Sequence, residues 1–137
     1  MSVGEDLKRY LEADASIKAV VDTRIAQGHL PDGEDLPYIW YMRRGTDQSR
    51  TVDGTGDQTF THLIDMECVS EDIDQALDLA ELVRARLDMT RGSFGNGSVK
   101  GIFVQDQSDD YIPRNLPSDE GVYIPSLEVS VMGYSVT

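Results

Sequence analysis

The sequence predicts an α+β domain in which a small, mostly antiparallel sheet of four strands carries its helices on one face. Three observations lead to this fold class. Apolar residues recur at helical spacing in 3–21 and 70–88. Strand-like segments occupy 38–44, 60–68, 98–107 and 122–136. The resulting order of helix, strand, strand, helix, strand, strand is typical of α+β proteins rather than of alternating α/β proteins.

The amino-terminal segment has the spacing of a helix. Its apolar positions are Val3, Leu7, Tyr10, Leu11, Ile17, Val20 and Val21. The stretch "ADAS" favours a kink, after which Asp14 or Ser16 would cap a second short helix. The prolines and glycines of "GHLPDGEDLP" then predict a loop.

Two strands are expected next. The segment "YIWYMRR" has apolar side chains at both odd and even positions, which predicts a strand at least partly covered on both faces. The segment "FTHLIDMEC" alternates instead, and one face is formed by Phe60, His62, Ile64, Met66 and Cys68. This alternation predicts one core face and one wetter face.

The segment at 70–88 is predicted to be a helix with Ser70 at its N-cap. The stripe expected to face the sheet comprises Ile73, Ala76, Leu77, Ala80, Val83 and Leu87, widened by Leu79 and Leu82. If Leu77 is buried as this predicts, its truncation to alanine should cost about 2–5 kcal/mol.

The last two strands follow a glycine-rich turn, "GSFGNG". The first is centred on Ile102, Phe103 and Val104, and the polar stretch "SDDYIPRNLPSDEG" is expected to be a long excursion. In the final strand the apolar positions change parity near Pro125, so a bulge or bend is expected there.

Composition and charge limit the function classes. The 137 residues suffice for one core, so a single domain over 1–137 is expected. A net charge of −13 with only 12 Lys and Arg disfavours both DNA binding through phosphate neutralisation and adsorption to anionic membranes. No signal-like segment or apolar run of about 18 residues is present. The lone Cys68 excludes an intramolecular disulfide.

The stretch "DGTGD" at 53–57 raises the question of a metal or phosphate loop. Counting from Asp53 as the first position of an EF-hand loop, Thr55, Gln58 and Ile64 occupy positions 3, 6 and 12, where that loop needs a ligand, glycine and glutamate. No glycine is followed by the Lys-Ser/Thr pair of a phosphate-binding loop. The stretch is therefore interpreted as turn residues between two strands.

The sequence also gives little support for a zinc site or for a hydrolase. His62 and Cys68 would stand about 20 Å apart along one strand, too far to share a zinc ion, and His29 lies in a different segment. His62 is interpreted as a partly buried histidine with a local partner, and Cys68 as a small core residue. No "GxSxG" or "HExxH" motif is present, so neither an enzyme nor a metal or other cofactor is expected.

Two blocks of residues, considered together, resemble a known family. The first comprises Leu11, Ile17, Val20, Val21, Arg24, Ile25, Leu30, Pro31, Leu36, Pro37, Tyr38 and Tyr41. The second comprises Arg50, Val52, Asp53, Gly54, Phe60, Ile64, Asp65, Cys68, Ala76, Leu79, Ala80, Val83, Arg84, Leu87 and Asp88. With the closing "GVYIPSLEVSVMGY", this order and spacing resemble the tail-completion, or tail terminator, proteins of long-tailed bacteriophages, over nearly the whole chain.

The resemblance implies a virion structural protein with the fold of the lambda-type minor tail protein U. Such a protein would form a ring of six copies at the head-proximal end of the tail tube, end tube polymerisation and meet the head connector or stopper. It would assemble in the host cytoplasm and reside in the tail or neck. DNA would pass through an acidic lumen without specific binding, and no membrane would be involved.

Two contact loops are expected in this interpretation. The first contains Arg43, Arg44, Arg50, Asp53, Gly54 and Asp57, and the second Asp109, Asp110, Tyr111 and Arg114. The adjacent Arg43 and Arg44 could bind a partner's carboxylates through bidentate hydrogen bonds. Two alternatives stay open: another neck component, such as a connector or stopper, and a small metal-binding or hydrolytic domain.

Overall fold

The computed structural model describes residues 2–28, 36–49, 59–112 and 122–136. It contains three helices, α1 (Val3–Glu12), α2 (Ala15–Val21) and α3 (Ile73–Leu87). Its strands are β1 (Ile25–Gln27), β2 (Tyr38–Ser49), β3 (Thr59–Val69), β4 (Gly92–Phe94), β5 (Gly97–Val99), β6 (Gly101–Ile112), β7 (Val122–Met132) and β8 (Ser135–Val136). No helix within these ranges is long and apolar enough to cross a membrane.

The main sheet has five strands in the order β1-β2-β3-β7-β6, and β4-β5-β8 form a second, smaller sheet. All neighbours in the main sheet are antiparallel except β1 and β2. The predicted α+β class is confirmed, but the predicted count of four strands is wrong. The missed strand, β1, has only three residues, which is too short for an alternating pattern to show, and it forms by parallel pairing with β2.

The helix starts are set by side-chain caps. Asp14 Oδ1 accepts from the N–H groups of Ser16 and Ile17 at 2.8 and 3.2 Å, which confirms a second short helix after a break. The predicted Ser70 cap of α3 is wrong, because Asp72 occupies that position and accepts from the Asp74 N–H at 2.9 Å.

Ser70 cannot begin the helix because it is still part of the sheet. Its backbone forms an antiparallel bridge with Tyr123, with N···O distances of 3.1 and 2.8 Å in the two directions. Its hydroxyl accepts from the Asp72 N–H and donates to Gln75, so it supports the cap from one position outside.

One hydrophobic core lies between the helices and one face of the main sheet. From α3 it receives Ala76, Leu79, Ala80, Val83 and Leu87, and from the sheet Ile39, Tyr41, Ile64, Met66, Cys68, Ile102, Val104, Leu127, Val129 and Val131. The predicted stripe is wrong at two positions, since Ile73 is 47% exposed and Leu77 only half-buried. The first turn of α3 lies at the end of the sheet, so the buried stripe begins later and is centred on Leu79.

The bulge expected at Pro125 is located elsewhere. Pairing of β7 with β6 passes through Pro125 without a shift, and the register shift lies in β6 between Val104 and Asp106. On the side of β7 that faces β3, the regular pairing ends at Ser126, and an isolated bridge between Tyr123 and Ser70 follows. Pro125 sits in this gap, where its missing N–H costs no ladder bond.

Asp6 is a fully buried carboxylate that joins α1 to the small sheet. Its Oδ1 accepts from the Asn96 N–H at 2.8 Å and from the Arg9 guanidinium at 3.4 Å, and its Oδ2 accepts from the Tyr134 hydroxyl. Desolvation raises the pKa of Asp6, but these donors outweigh it and hold the pKa below the usual value. A Cβ on Gly95, whose φ is +59°, would lie 2.6 Å from Oδ1, so glycine is required there.

Candidate assembly surfaces

The face of the main sheet that points away from the helices is the first candidate surface, here termed the open sheet face. It is formed by Trp40 and Met42 of β2, Leu63, Asp65 and Glu67 of β3, Ser126, Glu128 and Ser130 of β7, and Phe103, Asp106 and Ser108 of β6. Met42 is 50% exposed and Phe103 is 39% exposed. The prediction that β2 is partly covered on both faces therefore holds for Trp40, which is half-buried, but not for Met42.

The open sheet face is acidic. Four carboxylates, those of Asp65, Glu67, Asp106 and Glu128, line a shallow cavity of about 240 Å³. One guanidinium lies among them, since Arg44 is 3.9 Å from Asp65 and 3.6 Å from Glu128. These partners are about half exposed, so each ion pair contributes at most about 1 kcal/mol to folding. These ion pairs therefore add little to the stability of the fold.

The outer edge of β6 is covered along only half of its length. Near its start, the Ile102 N–H donates to Thr90, the Ile102 carbonyl accepts from Met89 at 2.7 Å, and the Val104 N–H donates to the Asp88 carboxylate at 3.0 Å. From Asp106 to Ile112, no described strand pairs with the outer side of β6. We call this part the β6 free edge.

Two aspartate side chains accept hydrogen bonds from backbone N–H groups of the β6 free edge. The Gln107 N–H donates to Oδ1 of Asp106, and the Tyr111 N–H donates to Oδ1 of Asp110, both at 2.8 Å. Each of these amides is thus bonded to the carboxylate of the residue before it rather than to β7. An edge with paired or masked donors resists indiscriminate strand addition.

A second free edge lies on the opposite side of the sheet. The strand β1 covers β2 only from Ile39 to Tyr41, and the Gly28 N–H closes this pairing on the Tyr41 carbonyl at 2.7 Å. Within the described ranges, no strand pairs with the outer side of β2 from Met42 to Ser49. This β2 free edge carries Arg43 and Arg44, whereas the β6 free edge carries Asp106, Asp109 and Asp110.

The histidine and cysteine considered as ligands have structural environments. His62 is half-buried, its Nδ1 lies 3.1 Å from the Thr46 hydroxyl, and its ring meets Tyr134 edge-on. Burial and the nearby Arg43 lower the pKa of His62. The interpretation of His62 as partly buried with a local partner is confirmed, and so is the burial of Cys68. Across the described part of the chain, no three His, Cys, Asp or Glu side chains converge as metal ligands.

Cys68 is expected to be inert in the folded protein. Burial, with a smaller contribution from Glu67, raises the pKa of its thiol to about 12. Iodoacetamide at pH 8 should therefore modify the native chain about 1,000-fold more slowly than the urea-unfolded chain, as mass spectrometry would show. Comparable rates in the two states would contradict the burial of this residue.

Comparison with known families bears directly on these surfaces. A family model described as "Tail completion protein gp17" matches residues 5–118, which is most of the chain. The chain belongs to this tail completion family. It is thus a tail component of a bacteriophage or phage-like virion, as the resemblance of its motifs predicted. Among curated proteins, none matches the sequence significantly.

A solved structure has the same fold as this tail completion protein. The matching chain comes from the "Virion of native gene transfer agent (GTA) particle", with a TM-score of 0.65 and 17% identity. The match covers 92% of this chain and 90% of the other. At this identity the likeness shows the fold alone.

The arginine in the first motif block of this tail completion protein has a structural role. Arg24 Nε donates to the carbonyl of Pro37 at 2.8 Å, and its Nη2 donates to the carbonyl of Val20 at 3.2 Å. It therefore ties the end of α2 to the start of β2, which keeps β1 beside β2. Together with the buried Ile25, this explains why the motif places an Arg-Ile pair before the loop.

The predicted contact residues lie partly on strands. Arg43 and Arg44 are in β2, within the strand predicted over 38–44 rather than in the loop after it. Asp109, Asp110 and Tyr111 are in β6, which runs further than the strand predicted over 98–107. Their placement in loops is therefore wrong. The remaining predicted residues, Arg50, Asp53, Gly54, Asp57 and Arg114, lie outside the described residues.

The two hairpin connections leave the sheet at opposite ends. The β2–β3 connection is at the end where Thr61 pairs with Met132, and the β6–β7 connection is at the end where Ser70 pairs with Tyr123. Near the second end, Tyr111 packs against Tyr123 with ring centroids 4.8 Å apart. The described members of the two predicted contact groups, in β2 and in β6, thus lie on opposite sides of the sheet.

Sequence reasoning missed the acidic residues that face Arg44. The alternation of β3 placed Asp65 on the wetter face, but nothing local indicated that Glu128 and Asp106 would lie beside it. Their proximity depends on the pairing of β3 with β7 and of β7 with β6.

Proposed function

We propose that this tail completion protein forms a closed ring, most simply of six copies, at the head-proximal end of the tail tube. The ring ends tube polymerisation and presents a surface to the head connector or stopper. The observation that carries this proposal is the family match over residues 5–118. The role is structural, and neither catalysis nor a cofactor is part of it.

The geometry of the sheet supports a ring. A closed ring needs two different, complementary patches on each subunit, because each copy contacts its neighbours head to tail. The β2 and β6 free edges lie on opposite sides of one sheet and carry opposite charges. Two hairpins at opposite ends of the sheet leave contacts for a tube on one side and a connector on the other.

The acidic open sheet face supports a lumen that DNA can traverse. Carboxylates without an excess of basic groups repel phosphates, so DNA would slide past without specific binding. Mixed with duplex DNA at low salt, the pure protein is expected to show no binding. A micromolar affinity that falls steeply as salt is raised would contradict an acidic lumen.

Tail tubes provide the decisive test. Purified protein is incubated with tubes that lack a terminator and imaged by negative-stain microscopy, while light scattering records the state of the free protein. We expect rings on one end of each tube and no further elongation when tube subunits are added. Bovine serum albumin at the same concentration is the control for non-specific blocking.

Other outcomes would identify the alternatives. Failure to bind tube ends, with binding to a head connector instead, would indicate another neck component. Calcium binding detected by calorimetry, with no ring on any tube, would indicate the metal-binding domain.

A further inference from the structure

We propose that neighbouring copies join by pairing the β6 free edge, Asp106–Ile112, of one copy with the β2 free edge, Met42–Ser49, of the next. The main sheets then form one continuous sheet around the ring. This inference rests on the proposed ring and specifies how its subunits meet.

Backbone hydrogen bonding is the first argument. Each free edge spans about seven residues, or roughly 23 Å, and presents backbone groups that no described strand satisfies. The other half of each edge strand is already hydrogen-bonded within the subunit, to β1 in the case of β2 and to Met89 and Thr90 in the case of β6. The uncovered halves are long enough for strand addition by a second copy.

Strand direction is the second argument. Three antiparallel steps separate β2 from β6, so these two edge strands run in opposite directions. A neighbour related by rotation about the ring axis therefore offers its β2 antiparallel to β6. The junction would continue the alternation within each subunit.

Charge is the third argument, and it favours a second copy over a strand from elsewhere. The β6 free edge carries Asp106, Asp109 and Asp110, and the β2 free edge carries Arg43 and Arg44 against Asp47. With the offset described below, Asp110 lies opposite Gly45 of the neighbour and next to its Arg44, so the carboxylate that holds the Tyr111 amide can turn to that arginine. The Tyr111 amide is then free to join the new ladder.

The offset between the two edges is the fourth argument. The residue pairings can be followed across the sheet so that every strand is aligned with β3. On this scale the β6 free edge, read through β7, is level with Asp65–Ser70 of β3, whereas the β2 free edge is level with Thr59–Asp65. Neighbours must therefore be displaced by about six residues, or about 20 Å, along the strands. The path from one β2 to the next crosses β3, β7 and β6, which is four strand spacings or about 19 Å, because β1 flanks only the other half of β2. The strands would then tilt by about 46° from the axis, close to the 35–45° of closed barrels.

Closure of the sheet also defines a lumen. The helices occupy one face of the sheet, so a ring with the helices outside would have the open sheet face inside. The carboxylates of Asp65, Glu67, Asp106 and Glu128 would then line the channel.

A disulfide tests the register. An offset of six residues pairs Asp109 of one copy with Thr46 of the next, on the same face of the sheet. The double variant Asp109→Cys/Thr46→Cys, oxidised on tail tubes, is expected to give a covalent ladder up to the full ring on a non-reducing gel. The matched control Asp109→Cys/Lys18→Cys, with its second cysteine on exposed α2, should give none. Rings that are visible on tubes but give no ladder with the first pair would overturn the pairing while leaving the ring intact.

A proline tests the backbone bonds independently. Gln107→Pro removes an amide that makes no bond to β7, so the subunit should fold, and a thermal melt close to that of the unsubstituted protein would verify this. The fraction of tubes with rings should fall at least about tenfold, whereas Gln107→Ala should retain it. Normal ring formation by the folded proline variant would also overturn the pairing. Absence of any ring with the unsubstituted protein would remove the ring proposal itself.

Discussion

Replacing Leu79 with alanine is expected to lower the free energy of unfolding by about 2–5 kcal/mol. Leu79 is 1% exposed and lies at the centre of the α3 stripe, against the core face of the sheet. Truncation removes buried methyl groups and leaves a cavity that the flanking strands cannot fill without losing their pairing. Urea unfolding followed by circular dichroism gives the value directly.

The matched control is Leu77→Ala on the same helix. Because Leu77 is only half-buried, its truncation should cost less than about 1.5 kcal/mol. Both variants change helix propensity equally, so the difference between them reports burial alone. A cost for Leu77→Ala equal to or larger than that for Leu79→Ala would mean that α3 is rotated on the sheet.

Replacing Asp6 with asparagine is expected to cost about 2–4 kcal/mol at pH 7. The buried carboxylate accepts from three donors, and an amide at the same place brings donors of its own towards them. Since α1 and the turn between β4 and β5 are joined there, both should loosen together. Hydrogen exchange at the Asn96 amide would report that loosening.

The cost of Asp6→Asn should shrink in acid. The pKa of Asp6 is lower in the folded than in the unfolded state, so the unfolded chain binds a proton first as pH falls. The stabilisation by the carboxylate is therefore fully present above about pH 5 and is lost as pH falls through the folded pKa. Unfolding free energies at pH 7 and pH 3 for the unsubstituted protein, Asp6→Asn and the exposed control Asp78→Asn test this. An equal cost of Asp6→Asn at both values would show that the charge does not matter.

Local patterns predicted the elements of this fold better than their connections. The α3 segment, the alternation of β3 and the break after α1 all follow from spacing within a few residues. The true cap of α3 did not, because Ser70 is held by a bridge to Tyr123 from a distant strand. The strand β1 was missed for the same reason, since only its pairing with β2 makes it a strand.

For the candidate surfaces, too, the local residue types could be predicted but their positions in the sheet could not. The charges of Arg43, Arg44, Asp109 and Asp110 were visible in the sequence, and the family resemblance indicated that they belong to contacts. Their location on free edges was not predictable, because an edge is defined by the strand order of the whole sheet. The partners of Asp6 were equally inaccessible, since Asn96 and Tyr134 are 90 and 128 residues away along the chain.

In the proposed pairing of neighbouring copies, the two aspartates that hold amides of the β6 free edge would also affect when assembly occurs. A subunit diffusing alone has these donors already occupied, so chance collisions would gain little. For several copies bound side by side on a tube, the local concentration would be far higher than in solution, and exchange of internal bonds for shared ones would become favourable. Such a latch would delay ring closure until a finished tube is available as a template.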